Sequence, residues 1–157
     1  MKVVAEGVKT GQVSTGLKSV LVVDNDGEHC ARVREELRNL NLRNHVHCVT
    51  SAAEMISYLN GFAQFHDRQE YPLPALIMVD LNLPLIDGFI VVEWLRSHEI
   101  FCRTPIVVMG RRDQTGALEA AVKVGADAWM LKPFDRHQFE WIVMKLPVLM
   151  EFGWESN

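Results

Sequence analysis

The residues with the most chemistry in this sequence stand directly after apolar runs. Asp24, Asn25 and Asp26 follow SVLVV (19–23), and Asp80 closes ALIMV (75–79). Gly110 and Arg111 follow PIVVM (105–109), and Lys132 follows DAWML (127–131). Each run is short enough to be a strand buried on both faces. Laid side by side in parallel, these strands bring three carboxylates and one ammonium to a common rim. Unpaired buried charge of that kind is costly, and a divalent cation relieves it. The donors are hard oxygens, which suit Mg²⁺, an ion that takes one or two carboxylates and keeps several waters.

The segments between these runs read as helices that would hold the rim together. Cys30, Val33, Leu37 and Leu40 recur at helical spacing behind Asp26, which is placed to cap the helix start. A weaker strand at 45–49 comes next. SAAE (51–54) then forms a capping box ahead of Met55, Ile56, Leu59 and Phe62 on one helical face. Residues 64–74 are polar, contain two prolines and read as a loop of modest length. Pro84 and the pair Asp87-Gly88 break the chain before a helix with Phe89, Val92 and Leu95. Asp87-Gly88 reads as a turn and helix start rather than a catalytic element. Leu118, Ala121 and Val122 mark a helix running into Gly125, and Asp135 with Gln138 caps a last one bearing Phe139, Ile142, Val143 and Leu146. Strand and helix alternate five times. The fold class is therefore α/β: a doubly wound, five-stranded parallel sheet with helices on both faces, because each crossover is helical. In such sheets ligands bind outside the carboxyl ends of the strands.

The 157 residues, 48% of them hydrophobic, suffice for one domain with a sound core. A net charge of −4 argues against nucleic acid as the main ligand. No apolar run approaches the roughly 20 residues that span a bilayer. The start of the chain lacks the apolar middle of a secretory signal, so no membrane partner and a cytoplasmic location are expected. Cys30, Cys48 and Cys102 are far apart in sequence and odd in number, and read as buried free thiols in a reducing compartment. The six histidines are scattered, and His45 and His47 share a strand face without a third ligand at useful spacing. Residues 1–18 read as a flexible N-terminal tail, 19–147 as the ordered domain and 148–157 as an apolar C-terminal extension. Val148, Leu149, Met150, Phe152 and Trp154 are expected to dock on the domain or across a dimer.

Three segments, VLVVDND, VDLNLPLIDG and GADAWMLKPF, together resemble the receiver domain of bacterial two-component response regulators, over about residues 19–147. The D-x-N-x-P-x-x-D-G run at 80–88 and Lys132-Pro133 after the fifth strand carry most of the resemblance. The 64–74 insertion and the LNLP wording are similar to stand-alone receivers paired with phytochrome-type kinases. The resemblance implies a flavodoxin-like strand order, 2-1-3-4-5. It also implies that Asp80 is the phosphoacceptor, attacking the phosphoryl group carried by a histidine of a sensor kinase. An unperturbed carboxyl pKa of about 3.9 leaves such an aspartate ionised at neutral pH. Mg²⁺ would be held by Asp24, by Asp80, by the backbone carbonyl of Asn82 and by the residue at position 25. Lys132 would pair with the phosphoryl oxygens, a contact on the order of 4 kcal/mol at about 4 Å and a dielectric near 20, before desolvation. Lys132–Pro133 would be a cis peptide that aims the lysine inward, and Trp129 would be the aromatic switch residue.

Three positions depart from that family. A second acid normally stands at position 25, and Asn25 can ligate Mg²⁺ but brings no charge. Gly110 stands where a Ser or Thr hydroxyl normally binds the phosphoryl group, a bond of roughly 1.5–3 kcal/mol against the ~5.5 kcal/mol that full switching needs. Arg111 replaces a small residue, and its guanidinium either contacts the phosphoryl group or points to solvent. Asp26 could add charge, but helix capping is its expected role.

The expected function is a single-domain response regulator with no DNA-binding domain behind it. It would signal to a downstream protein target, and homodimerise, through the face of the fourth helix, fifth strand and fifth helix. It is expected not to be an enzyme beyond assisting its own phosphotransfer and dephosphorylation. One alternative is a receiver that binds partners without phosphorylation, favoured by Asn25, Gly110 and Arg111. The other is a haloacid-dehalogenase-type phosphatase with Asp24 as nucleophile and Asp26 as acid/base, for which a late acidic pair is missing.

Overall fold

A computed structural model describes residues 18–42 and 44–146. Five strands alternate with five helices: β1 (Ser19–Val23), α1 (Gly27–Asn39), β2 (Val46–Val49), α2 (Ala52–Asn60), β3 (Pro74–Asp80), α3 (Gly88–Ser97), β4 (Ile106–Arg111), α4 (Thr115–Lys123), β5 (Ala128–Lys132) and α5 (Arg136–Lys145). All strand pairs are parallel, in the order β2-β1-β3-β4-β5. This is the doubly wound sheet that the sequence predicts.

Side chains alternate across a strand, so each strand feeds two cores. Leu21, Val23, Ile77, Val79 and Val108 pack with Met55 and Leu59 of α2, Val92 and Leu95 of α3 and Leu118 of α4. On the other face Val20, Val22, Met78, Val107 and Met109 pack with Val33 and Leu37 of α1 and Phe139 and Ile142 of α5. Near-complete burial of β1, β3 and β4 explains why those strands read as unbroken apolar runs, while the edge strands β2 and β5 are only partly buried.

Helix starts follow the capping chemistry of the sequence. Asp26 accepts from Glu28 N at 2.9 Å, Ser51 from Glu54 N at 3.1 Å, Asp87 from Phe89 N at 2.8 Å and Asp135 from Gln138 N at 3.0 Å. Strand ends differ from expectation by one or two residues. β3 takes in Asp80, β4 takes in Arg111, and β5 takes in Lys132, because the parallel ladder continues through Asp80↔Met109 and Arg111↔Lys132. Asp80, Arg111 and Lys132 thus sit on strands, with orientation fixed by the pleat.

Several expectations need correction. Phe62 is not on the apolar face of α2; Gly61, at φ 68°, ends that helix and leaves Phe62 60% exposed. The polar 64–74 stretch is the expected loop over 66–73, but a packed one. It opens with a 3₁₀ turn at Ala63–Phe65 that buries Phe65, and its Arg68 donates to the carbonyls of Tyr58 (2.8 Å), Leu59 (2.8 Å) and Tyr71 (3.1 Å). Cys30 is buried, but Cys48 is only partly so and Cys102 is exposed. Cys30 and Cys48 are neighbours that shift each other's titration, the Cys30 thiol upward and the Cys48 thiol downward. No helix among the described residues is long and apolar enough to cross a membrane. Apart from Lys18, the N-terminal tail lies outside the described residues, as does the apolar extension at 148–157.

Candidate functional site

Asp24 follows β1 directly and is 1% exposed; Asp80 ends β3 and is 3% exposed. Between them lies the ammonium of Lys132, the last residue of β5, with Nζ 2.8 Å from Asp24 Oδ2 and 3.1 Å from Asp80 Oδ2. The strand register brings these three ends to one rim, and the Lys132–Pro133 peptide beside them is cis. The remaining carboxylate oxygens are bound by backbone: Asp24 Oδ1 accepts from Asp26 N at 2.9 Å and Asp80 Oδ1 from Asn82 N at 3.0 Å.

Two buried carboxylates therefore share one lysine. Burial is the main cause that raises the Asp80 carboxyl above the usual range, and the Asp24 charge adds to it. The Asn82 N–H and the Lys132 ammonium act in the opposite direction. The surplus negative charge and the all-oxygen donors fit a hard divalent cation. Among the described residues no group of three His, Cys, Asp or Glu side chains is arranged as a metal cage. A cation here would rest on two carboxylates, the Asn82 carbonyl, Asn25 and water. Asn25 is exposed beside Asp24.

Gly88 explains part of this geometry. A Cβ there would lie 2.4 Å from the carbonyl oxygen of Asp80 and 2.7 Å from Leu81 Cα. Only glycine lets α3 press against the strand end that presents Asp80. The pair Asp87-Gly88 is the turn that the sequence suggests, and also a close-packing point.

The other sequence candidates stand apart from the two carboxylates. The Arg111 guanidinium is 58% exposed and pairs with Asp113, Nε to Oδ1 at 3.2 Å. Gly110 is buried, and its missing Cβ faces Leu118 and the side chain of Gln114. Trp129 is partly buried against the α4 side of the core and lines a groove with Arg112, Leu131, Asp135 and Trp141.

Two side chains at the rim went unread in the sequence. His29 Nδ1 lies 3.2 Å from Asp24 Oδ2, and its Nε2 lies 3.6 Å from Asp26 Oδ2. Its position three residues after Asp26, in the first turn of a helix, was the available signal. Gln114 forms a reciprocal amide pair with Asn82: Gln114 Nε2 donates to Asn82 Oδ1 at 2.8 Å and Asn82 Nδ2 donates to Gln114 Oε1 at 2.9 Å. The Arg111 N–H donates to the same Gln114 oxygen at 2.9 Å. No sequence spacing marks a contact between residues so far apart.

With this geometry in place, the response regulator receiver domain family model matches residues 20–143. The chain belongs to that family. The transcriptional regulatory protein PrrA of Mycobacterium leprae is 30% identical over 124 residues, covering 78% of this chain and 47% of PrrA. The chain spans half the length or less of the first curated relatives it matches. Among solved structures, the bacteriophytochrome response regulator RtBRR aligns at 26% identity with a TM-score of 0.69, over 90% of this chain and 81% of RtBRR. A magnesium-bound receiver domain of a sensor histidine kinase from Pseudomonas aeruginosa aligns at 23% identity and a TM-score of 0.61, over 82% of this chain and 95% of that one. At that identity it speaks for the receiver fold alone.

Proposed function

We propose that this receiver accepts a phosphoryl group from a sensor histidine kinase on Asp80 and signals through protein contacts. The observation that carries the reading is the Lys132 ammonium shared by Asp24 and Asp80. A carboxylate oxygen of Asp80 attacks phosphorus, the bond to the kinase histidine breaks, and the phosphoryl group stays on Asp80. Lys132 is placed to leave its carboxylates for a phosphoryl oxygen, a move of one side chain. Mg²⁺ bound to Asp24, Asp80, Asn25 and the Asn82 carbonyl would neutralise charge on the transferring oxygens. The receiver domain is 19–147 on this reading, Trp129 reports the modified state, and the face built from α4, β5 and α5 is the output surface and the homodimer contact. A cytoplasmic location completes the proposal.

A second reading is a receiver that binds partners without phosphorylation. Gly110 favours it, since the strand-end hydroxyl is missing, as does Arg111, whose guanidinium is engaged by Asp113. The test is intact mass after incubation with Mg²⁺ and a small-molecule phosphodonor. A gain of one phosphoryl group that disappears in Asp80→Asn is expected. No gain, with a donor or with a cognate kinase, overturns the first reading in favour of the second. Steady phosphate release that survives Asp80→Asn but not Asp24→Asn would instead assign a phosphatase.

A further inference from the structure

We infer that Gln114 is the positioning residue that couples Asp80 to the start of α4, replacing the strand-end hydroxyl that Gly110 lacks. The inference rests on the phosphoacceptor reading for its biological use, but not for its geometry. Asn82 holds Asp80 through its backbone N–H, and its side-chain amide is paired in both directions with Gln114. Gln114 stands immediately before α4 and also holds the Arg111 N–H at the end of β4. The loop after β3 and the loop after β4 are thus tied by one carboxamide.

Gly110 belongs to the same device. A Cβ at position 110 would lie 3.2 Å from Gln114 Oε1, 3.1 Å from Leu118 Cδ2 and 3.3 Å from Leu118 Cγ. Those separations are tighter than ordinary contacts, so a hydroxyl-bearing residue and the Gln114 clasp compete for one space. Leu118, on α4, is fully buried, so the partly exposed Gln114 side chain is the neighbour freer to shift. The glycine that weakens the usual coupling is the residue that makes room for this one. A change at Asp80 shifts the Asn82 N–H, and the amide pair carries that shift to the first turn of α4. From there it reaches β4 and β5 through packing, since Leu118 and Trp129 share one core.

The test is NMR on the full chain, following the Arg111 amide and the backbone of residues 115–118. In Gln114→Ala the Arg111 amide should exchange about fivefold faster, the effect of losing one hydrogen bond. Gly110→Ser should do the same, and the double variant should be no faster than either single one. Gln114→Glu keeps the acceptor for Arg111 N–H and should leave that amide protected while losing the donor to Asn82. Asp80→Asn serves as a perturbation that needs no phosphate: shifts at 115–118 should appear in the wild type and vanish on a Gln114→Ala background. The same loss should follow phosphorylation by phosphoramidate with Mg²⁺, at unchanged mass gain. An Asp80→Asn response at 115–118 that persists without Gln114 overturns the clasp. Absence of a mass gain with that response intact and Gln114-dependent overturns the phosphoacceptor reading and supports the clasp.

Discussion

At the carboxyl rim of the sheet, Asp24 and Asp80 are buried against a single ammonium. At the amino end, Ser19, Tyr58, Tyr71, Phe65 and His47 are packed together around hydroxyls, rings and backbone carbonyls. Ser19 Oγ and Tyr58 Oη lie 3.1 Å apart, and both reach the carbonyl of Pro72, at 3.0 and 2.8 Å. Tyr71 packs edge-on to Phe65 at 5.2 Å and to Tyr58 at 6.0 Å, and tilted over His47 at 5.2 Å. At the amino end the Ser19 and Tyr58 hydroxyls are satisfied by each other and by the Pro72 carbonyl, and Arg68 clamps the carbonyls around them from the 64–74 segment. The rim buries two carboxylates against one ammonium, with the His29 ring at its edge. One end is built to stay as it is, and the other to take something up.

The largest break in this contrast should come from Lys132→Ala. Removing the ammonium leaves two carboxylates facing each other at 1% and 3% exposure. Breaking a buried pair by deleting one partner costs on the order of 3–5 kcal/mol. Urea unfolding should show that loss, and adding Asp80→Asn should recover a large part of it by removing the surplus charge. A Lys132→Ala chain as stable as the wild type would mean that the rim is wetter than its geometry implies.

The rim was the part most legible in the sequence. Asp24, Asp80 and Lys132 each end an apolar run, and parallel pairing is enough to bring such ends together. Helix starts were legible for the same local reason, since a capping side chain bonds a backbone N–H two or three residues on. The Gln114–Asn82 clasp was not, because two exposed amides 32 residues apart leave no periodic trace. Gly88 was read for its turn and not for its packing, which depends on how closely α3 approaches Asp80. The packing of the 64–74 loop was not legible, since polar residues that hold carbonyls look the same in sequence as polar residues that face water.

Arg68→Ala sharpens the comparison from the opposite end. The guanidinium holds three carbonyls, so its loss should cost roughly 1.5–3 kcal/mol, the range for a hydrogen-bonded charged group. Burial lowers the Arg68 pKa, which marks the side chain as part of the packed structure. Phosphodonor-dependent mass gain at Asp80 should be unchanged, because Arg68 lies at the far end of the sheet. Loss of mass gain in a folded Arg68→Ala chain would show that the two ends are not independent.

The smallest effect should be a difference in pH dependence. Burial, then the nearby His45 and Arg34, lower the His47 pKa, while the Glu70 carbonyl and charge act the other way. A depressed histidine binds its proton less readily folded than unfolded. Stability from this residue is therefore complete above the unfolded value of about 6.5 and is lost as pH falls through it toward the folded one. His47 Nε2 is also buried without a hydrogen-bond partner among the described residues. His47→Phe keeps a ring among the tyrosines and removes the titration. Urea midpoints compared at about pH 7.5 and 5.5 should fall more steeply in the wild type than in the variant. Equal slopes would remove His47 as a source of acid sensitivity and shift it to the carboxyl rim.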